Sequence, residues 1–236
     1  VSKADVFREL HRAPSLLVLP NAWDVASARA FAALPGCRAL ATSSAAVARS
    51  LGWEDGEQTP RDEMLRVVER IAAAVDVPVT ADLEAGYGDP PGTAAAALAA
   101  GAVGMNLEDS RAEQLLPLEE QVAIIRAVRA AAPELVLNAR VDTFLSGDPD
   151  VAHAIERGNA YLAAGADCIY PITAPVDVIG SLAQGIDGPI NILFGPDSPG
   201  LDELEQLGVR RVTFGSGLAI VALTAAARVA ARALER

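Results

Sequence analysis

Hydrophobic and polar positions along the chain repeat as one unit. An Ala- and Leu-rich stretch ends in a glycine and is followed by a short apolar run, as in FAALPGCRALATS, LAAGAVGMNLED, LAAGADCIYPI and LEQLGVRRVTFGS. The glycine stands where a helix C-terminal cap belongs, and the run behind it has strand composition. The pattern predicts eight strands, at 16–20, 38–43, 77–82, 103–108, 134–140, 167–171, 189–193 and 210–214. It places helices at 25–34, 61–75, 91–100, 118–131, 150–164, 176–182, 201–207 and 218–234, with an amphipathic helix in the opening SKADVFRELHRA. Strands alternating with helices make βα units and a parallel sheet. Eight such units predict an α/β fold, a (β/α)8 TIM barrel, with residues 1–236 forming one domain. A doubly wound open sheet is the rival, but neither GxGxxG nor GxxxxGK is present.

The barrel reading makes a statement about polar residues, because barrel sites lie at the C-terminal strand ends. Those ends carry Asn21, Trp23 and Asp24; Thr42, Ser43 and Ser44; Asp82 and Glu84; Asn106, Glu108 and Asp109; Asn138, Arg140 and Asp142; and Asn191. The strands are nearly free of charge until their last residue. In VPVTADLEAGYG, Asp82 and Glu84 stand two apart at a strand end and project to one side. Like charges held in a partly buried mouth invite a divalent cation with oxygen ligands, Mg²⁺ or Mn²⁺. A lone DxE is more often a solvated turn; here the polar strand ends around it point to a site.

Composition narrows the function class. The formal charge of -12 argues against a nucleic-acid partner, which would want a basic face. Few residues are aromatic, so the core is built from Ala, Val, Leu and Ile. Cys37 and Cys168 stand apart with no CxxC or Cys/His cluster, so neither a disulfide framework nor a zinc site is indicated. The opening reads as a helix rather than a signal peptide, and Arg228 and Arg232 make the apolar C-terminal stretch a poor membrane span. These features predict a soluble, cytoplasmic protein with no membrane partner.

PNAWDVASARAF, TSSAAVARSLGWED, TADLEAGYG, GMNLEDS and NARVDTF, in that order, resemble the isocitrate lyase/phosphoenolpyruvate mutase superfamily over nearly the whole chain. The resemblance implies a (β/α)8 barrel that binds Mg²⁺ and small 2-oxo acids or their relatives. Such enzymes break or make C–C or P–C bonds beside a carbonyl through an enolate. It implies Asp82 as the direct metal ligand, with Glu84, Glu108 and Asp55 holding the ion mainly through water. Ser43, Ser44 and Ala45 match the segment that grips the substrate carboxylate. Arg140 matches the arginine that pairs with the substrate and steadies the developing oxyanion, and Trp23 an aromatic ring against the substrate. Asn191 is a further substrate-side candidate from its strand end. Read without the resemblance, Arg140 is equally well a rim ion pair to Asp142 or Glu108.

One departure bears on the reaction. The isocitrate and methylisocitrate lyases carry KxCGH after the fourth strand, and the phosphonate mutases a Lys/Asn-bearing loop; here the loop is SRAEQLLPLEEQ. His11, His153, Cys37 and Cys168 all lie where helix or packing residues belong, which leaves Tyr87 or water as the acid/base. The expectation is therefore an Mg²⁺-dependent lyase that decarboxylates or retro-aldol-cleaves a small 2-oxo or 2-hydroxy carboxylate. A P–C bond mutase or hydrolase and a 2-oxo-acid-binding protein without turnover are the alternatives. GLAIVALTAAARVAARALER is apolar on more than one face, so a homodimer or homotetramer is expected, by exchange of this helix between subunits as the superfamily implies.

Overall fold

The computed structural model describes residues 2–112 and 114–235. Eight parallel strands carry the chain: β1 (Leu17–Leu19, continuing past Pro20 as Asn21–Ala22), β2 (Leu40–Thr42), β3 (Val79–Asp82), β4 (Gly104–Leu107), β5 (Val136–Val141), β6 (Cys168–Pro171), β7 (Asn191–Leu193) and β8 (Arg211–Thr213). Each pairs with the next, β6 meets β7 through an Ile169–Ile190 bridge, and β8 returns to pair with β1. Parallel pairing that runs round the set and back to its first member is a closed barrel. Pro20 has no N–H to give a ladder, and β1 changes partner there, from β8 before it to β2 after it.

All eight expected strands are present, most of them trimmed at their ends, while β1 runs on to Ala22 and β5 to Val141. The helices are α1 (Lys3–Arg12), α2 (Val25–Ala32), α3 (Ser44–Leu51), α4 (Arg61–Ala74), α5 (Pro90–Ala99), α6 (Leu118–Ala131), α7 (Val151–Ala164), α8 (Ile179–Gly185), α9 (Leu201–Gln206) and α10 (Gly217–Leu234). The helix α3 was not expected; Ser43 caps it by accepting from the Ala46 N–H at 3.3 Å, and Gly52 ends it in the left-handed region. The loop after β4 folds into a short antiparallel hairpin, Ser110–Arg111 against Gln114–Leu115.

The strand register brings Asp82, Asn106 and Asn138 side by side on β3, β4 and β5. Period-two alternation sends Leu107, Leu137 and Ala139 into the apolar layer between barrel and helices, and the asparagines into the barrel. The helix α1 closes the N-terminal end of the barrel: Phe7 and Leu10 pack with Leu17, Leu19, Ala41 and Val136. Space there is so tight that a Cβ on Gly104 would stand 2.9 Å from the Phe7 ring and 2.8 Å from Thr80 Oγ1. The opposite, C-terminal end stays open, so the polar strand ends face a cavity.

The helix α10 begins at that open end and leaves the body. Among its described residues only Ala219 is buried, while Val221 is 66% and Val229 70% exposed. By length and composition it is apolar enough to cross a membrane, with a mean hydropathy of 1.6. Arg228 and Arg232 therefore do not by themselves exclude a span by composition, a test that helices of soluble proteins also pass.

Candidate active site

The mouth of the barrel holds two adjoining lobes of about 680 and 370 Å³. The larger is lined by Asp55, Glu57, Glu84, Glu108, Ser110, Arg111 and Arg140, among others. The smaller is lined by Ser43, Ser44, Ala45, Asp82, Asn106 and the Phe214–Gly215–Ser216–Gly217 turn. Asp55, Arg140 and Ile172 face both. The four carboxylates expected at a metal and the arginine expected at a substrate therefore converge on one opening.

Asp82, at the end of β3, is held on three sides. Ser44 donates to its Oδ2 through both N–H and hydroxyl at 2.9 Å, and Asn106 Nδ2 donates to its Oδ1 at 3.2 Å. The Asp82 N–H in turn donates to Thr42 Oγ1 at 2.9 Å. The start of α3, expected to grip a substrate carboxylate, thus grips Asp82 with its first turn and leaves Ser43 and Ala45 along the cavity wall.

The loop after β3 is locked by unusual backbone. Gly86 has φ +93°, and a Cβ there would lie 2.6 Å from Pro90 Cα, so only glycine fits. Glu84 and Tyr87 are also left-handed, with φ +52° and +55°, as is Glu57 across from them at +60°. The Glu57 N–H donates to Glu84 Oε2, the Tyr87 N–H donates to Glu57 Oε1 at 2.5 Å, and the Tyr87 hydroxyl donates to Glu84 Oε1 at 2.9 Å. This reciprocal clasp joins the Asp55 loop to the β3 loop. Burial pushes the Glu84 carboxyl up to about 7, with the Asp55 and Asp82 charges adding to it.

Arg140 stands at the end of β5 between two carboxylates. Its Nε and Nη2 donate to the two oxygens of Asp142 at 2.5 and 2.8 Å, and Nη1 pairs with Glu108. The rim ion pair that sequence offered as the bland role for Arg140 is present with both candidate partners. Three of the five guanidinium N–H groups are so used, and two remain for a ligand. Burial opposes the charged guanidinium, but Asp142 and Glu108 more than reverse this and raise its pKa. Glu108 is itself pushed well above the usual carboxylate range by burial, which Arg140 offsets only in part, with Asp82, Asp142 and Glu84 adding to the rise. Desolvation and the Asp82 charge likewise raise Asp55.

Beneath this pair lies a buried support, of which sequence reading picked out Asp109 and Asp142 but not Arg157 or Tyr161. The Asp142 N–H donates to Asp109 Oδ1 at 2.8 Å, and Asp109 Oδ2 accepts from Arg157 Nε at 2.8 Å and Tyr161 at 2.7 Å. Ser110 spends its hydroxyl on Asp142 Oδ2.

Three expected site residues stand elsewhere. Trp23 packs its ring edge-on against Phe31, 6.0 Å between centroids, and lines a separate depression with Val25, Leu51 and Arg70. Asn191 is fully buried and donates to Thr213 Oγ1 at 3.1 Å, so Thr213, not Asn191, meets the cavity. Tyr87 reaches the larger lobe only through Glu84. His11, expected on a helix face, is buried at the closed end of the barrel; His153 pairs with Asp148 at 2.6 Å, and Cys168 is buried within β6. None of the three lines either lobe.

Among the described residues no three His, Cys, Asp or Glu side chains are grouped to hold a metal ion directly. The donor set fits a hard cation held partly through water: all its charged donors are oxygens, and their charges raise one another's pKa.

The family model described as phosphoenolpyruvate phosphomutase matches residues 7–234. An uncharacterized protein of Mycobacterium tuberculosis is 38% identical over 97% of this chain and 88% of its own. The 2-methylisocitrate lyase of Bacillus subtilis is 30% identical over 98% of this chain and 78% of its own. A solved structure from Burkholderia cenocepacia J2315, provisionally assigned as a phosphonomutase, superposes with a TM-score of 0.91 at 39% identity, covering 97% and 98% of the two chains. A phosphonopyruvate hydrolase solved with oxalate and Mg²⁺ superposes at 0.87 with 25% identity, covering 98% and 87%. The relatives thus include C–C lyases and P–C bond enzymes. By motif, barrel and match alike, the chain belongs to the phosphoenolpyruvate mutase/isocitrate lyase superfamily.

Proposed function

We propose that this chain is an Mg²⁺-dependent carbon–carbon lyase acting on a small 2-oxo or 2-hydroxy carboxylate, by decarboxylation or retro-aldol cleavage. The observation that carries the reading is the convergence of Asp55, Asp82, Glu84, Glu108 and Arg140 on one opening. Asp82 would hold the ion, with Glu84, Glu108 and Asp55 around it; Mn²⁺ would serve in the same place. When bound, the cation supplies Lewis-acid stabilisation of charge collecting on the keto oxygen. Arg140, fixed by Asp142 and Glu108, directs its two remaining N–H groups at a carboxylate or at the same developing oxyanion. The wall at Ser43 and Ala45, beside the Ser44 that grips Asp82, would bind the far end of a short substrate.

A decarboxylation suits the hairpin after β4. Breaking the C–C bond leaves its electron pair on the enolate and releases CO₂, so no proton donor is needed at the departing group. Ser110 is occupied by Asp142, and no cysteine or histidine stands at residues 110–115. The proton that completes the product comes from water; burial, with the Glu84 charge, pushes the Tyr87 hydroxyl far above its usual range and makes it a poor donor. The likeness to the Burkholderia structure provisionally assigned as a phosphonomutase favours a second reading, P–C bond rearrangement or hydrolysis of a phosphonate such as phosphonopyruvate. We further read the chain as a cytoplasmic homodimer or homotetramer in which α10 is exchanged and covered by protein rather than lipid.

The test is a product screen with Mg²⁺. Oxaloacetate, 2-methylisocitrate and phosphonopyruvate are incubated with wild type and with Asp82→Ala, and pyruvate, glyoxylate and phosphate are measured. Pyruvate from a carbon acid, lost in Asp82→Ala, supports the lyase. Phosphate from phosphonopyruvate alone moves the chain to P–C chemistry, and saturable binding without product would leave a binding protein.

A further inference from the structure

Arg211 opens β8 with its side chain inside the barrel, fully buried. Among the described residues no carboxylate lies at ion-pair distance from it, and its Nε has no hydrogen-bond partner. Its guanidinium carbon stands 5.9 Å from the Phe7 ring centroid; Nη1 meets His11 Nε2 and Nη2 meets Asn106 Oδ1, each at 3.4 Å. A buried, unpaired cation is costly, and a packing role alone is met better by an apolar side chain. Its neighbours indicate what it does.

Arginine offers donors and no acceptor, so whichever amide atom of Asn106 faces it must be the oxygen. Asn138 Nδ2 donates to that same oxygen at 2.8 Å. With Oδ1 claimed from two sides, the Asn106 Nδ2 must turn to Asp82, where it donates at 3.2 Å. The His11 side is fixed in the same way. Its Nδ1 lies 2.8 Å from the Phe7 carbonyl, which only accepts, so Nε2 is left bare toward Arg211. Burial, with the Arg211 charge, lowers the His11 pKa to about 4, which keeps the ring neutral. A line of groups, each fixed by the one before, therefore runs from α1 through Arg211 and Asn106 to Asp82 in the mouth.

We propose that Arg211 is a positioning residue for the active site: its donor-only guanidinium sets which way round Asn106 stands, and so presents an N–H rather than an oxygen to Asp82. With the amide reversed, two oxygens would face each other and the Asp82 carboxylate would lose its third anchor. The inference rests on the reading of Asp82 as the ligand of a divalent cation.

The test measures Mn²⁺ binding alone, by calorimetry and water-proton relaxation, beside thermal unfolding. Arg211→Lys keeps a donor-only head and should bind Mn²⁺ within about threefold of wild type. Arg211→Met should bind about tenfold more weakly while unfolding at the same or a higher temperature. A purely structural arginine would show the reverse, a lower unfolding temperature with unchanged Mn²⁺ affinity in the folded protein, and that result overturns the proposal. If Arg211→Met does not fold, Arg211→Gln decides, since its amide offers oxygen as readily as N–H; equal affinity for the Gln and Lys variants overturns the proposal. Asp82→Asn separates the two readings. Loss of Mn²⁺ binding there with none in Arg211→Met removes this inference alone, whereas wild-type binding by Asp82→Asn removes the assignment of Asp82 as well.

Discussion

Ser44 gives both its N–H and its hydroxyl to one oxygen of Asp82, at 2.9 Å each. The first turn of α3 is thereby bound to the end of β3, and the carboxylate plane is fixed before any ligand arrives. In Ser44→Ala the N–H bond remains and the hydroxyl bond is lost. A hydrogen bond to a charged acceptor is worth about 1.5–3 kcal/mol, so Mn²⁺ affinity should fall by roughly tenfold or more. Calorimetric titration of the folded variant checks this.

Arg140→Lys should be far from conservative. An ammonium cannot span both oxygens of Asp142 and still reach Glu108, so the donors left for substrate lose their aim. On the product assay that succeeds with wild type, kcat/KM should fall by about 100-fold or more. Activity within threefold of wild type would mean that Arg140 is a rim ion pair and nothing more.

His11 gives a pH signature at the closed end of the barrel. Burial, then the Arg211 charge, lowers its pKa from 6.5 to about 4, so between these values the unfolded chain binds more protons than the folded one. Stability is thus fully present above pH 6.5 and is lost as pH falls toward 4, by an amount on the order of a few kcal/mol. Urea midpoints measured from pH 7 to pH 4 should drop more steeply in wild type than in His11→Gln, which keeps a neutral side chain throughout.

Asp109 is the anchor of the buried support under Arg140. Asp109→Asn leaves Arg157 buried without its counter-charge, a change that costs about 3–5 kcal/mol in comparable pairs. For a chain of this size that corresponds to a fall of roughly 10 °C in Tm. Calorimetry on Asp109→Asn, with Glu119→Gln as an exposed control expected to unfold like wild type, reads the difference.

The outer part of α10 offers Val221 and Val229 to solvent, and the assembly proposed above would cover them with a second copy of the chain. The double variant Val221→Glu, Val229→Glu should run at the mass of one chain by light scattering where wild type runs as two or four. A wild-type monomer at micromolar concentration would end the assembly reading.

The strands were legible because parallel barrel strands, covered on both sides, are short apolar runs closed by polar ends. The convergence of Asp82, Glu84, Glu108 and Arg140 followed from those ends alone. What escaped depended on direction and depth. Trp23 follows a strand that Pro20 interrupts, and nothing in the spacing says that Asn21 turns into the mouth while Trp23 turns outward onto Phe31. Asn191 has the inward parity but sits one layer too deep. Nothing in the sequence distinguishes Arg210 from Arg211 at the start of the last strand, although Arg211 is the most bulky of the fully buried side chains. Glu57 went unnoticed because its part depends on a left-handed backbone that an acidic residue seldom adopts. The helix α3 was hidden by its Ser-Ser-Ala start and its brevity.

The clasp between Glu57, Glu84 and Tyr87 has a kinetic consequence. Three residues in the left-handed region cost about 1–3 kcal/mol each, and they hold only while their mutual bonds hold. A ligand that draws Glu84 toward itself releases the Glu57 N–H, and with it the loop that carries Asp55. Capture then takes two steps, encounter and parting of the loops, and its observed rate should level off at high ligand concentration, at the frequency with which the two loops part.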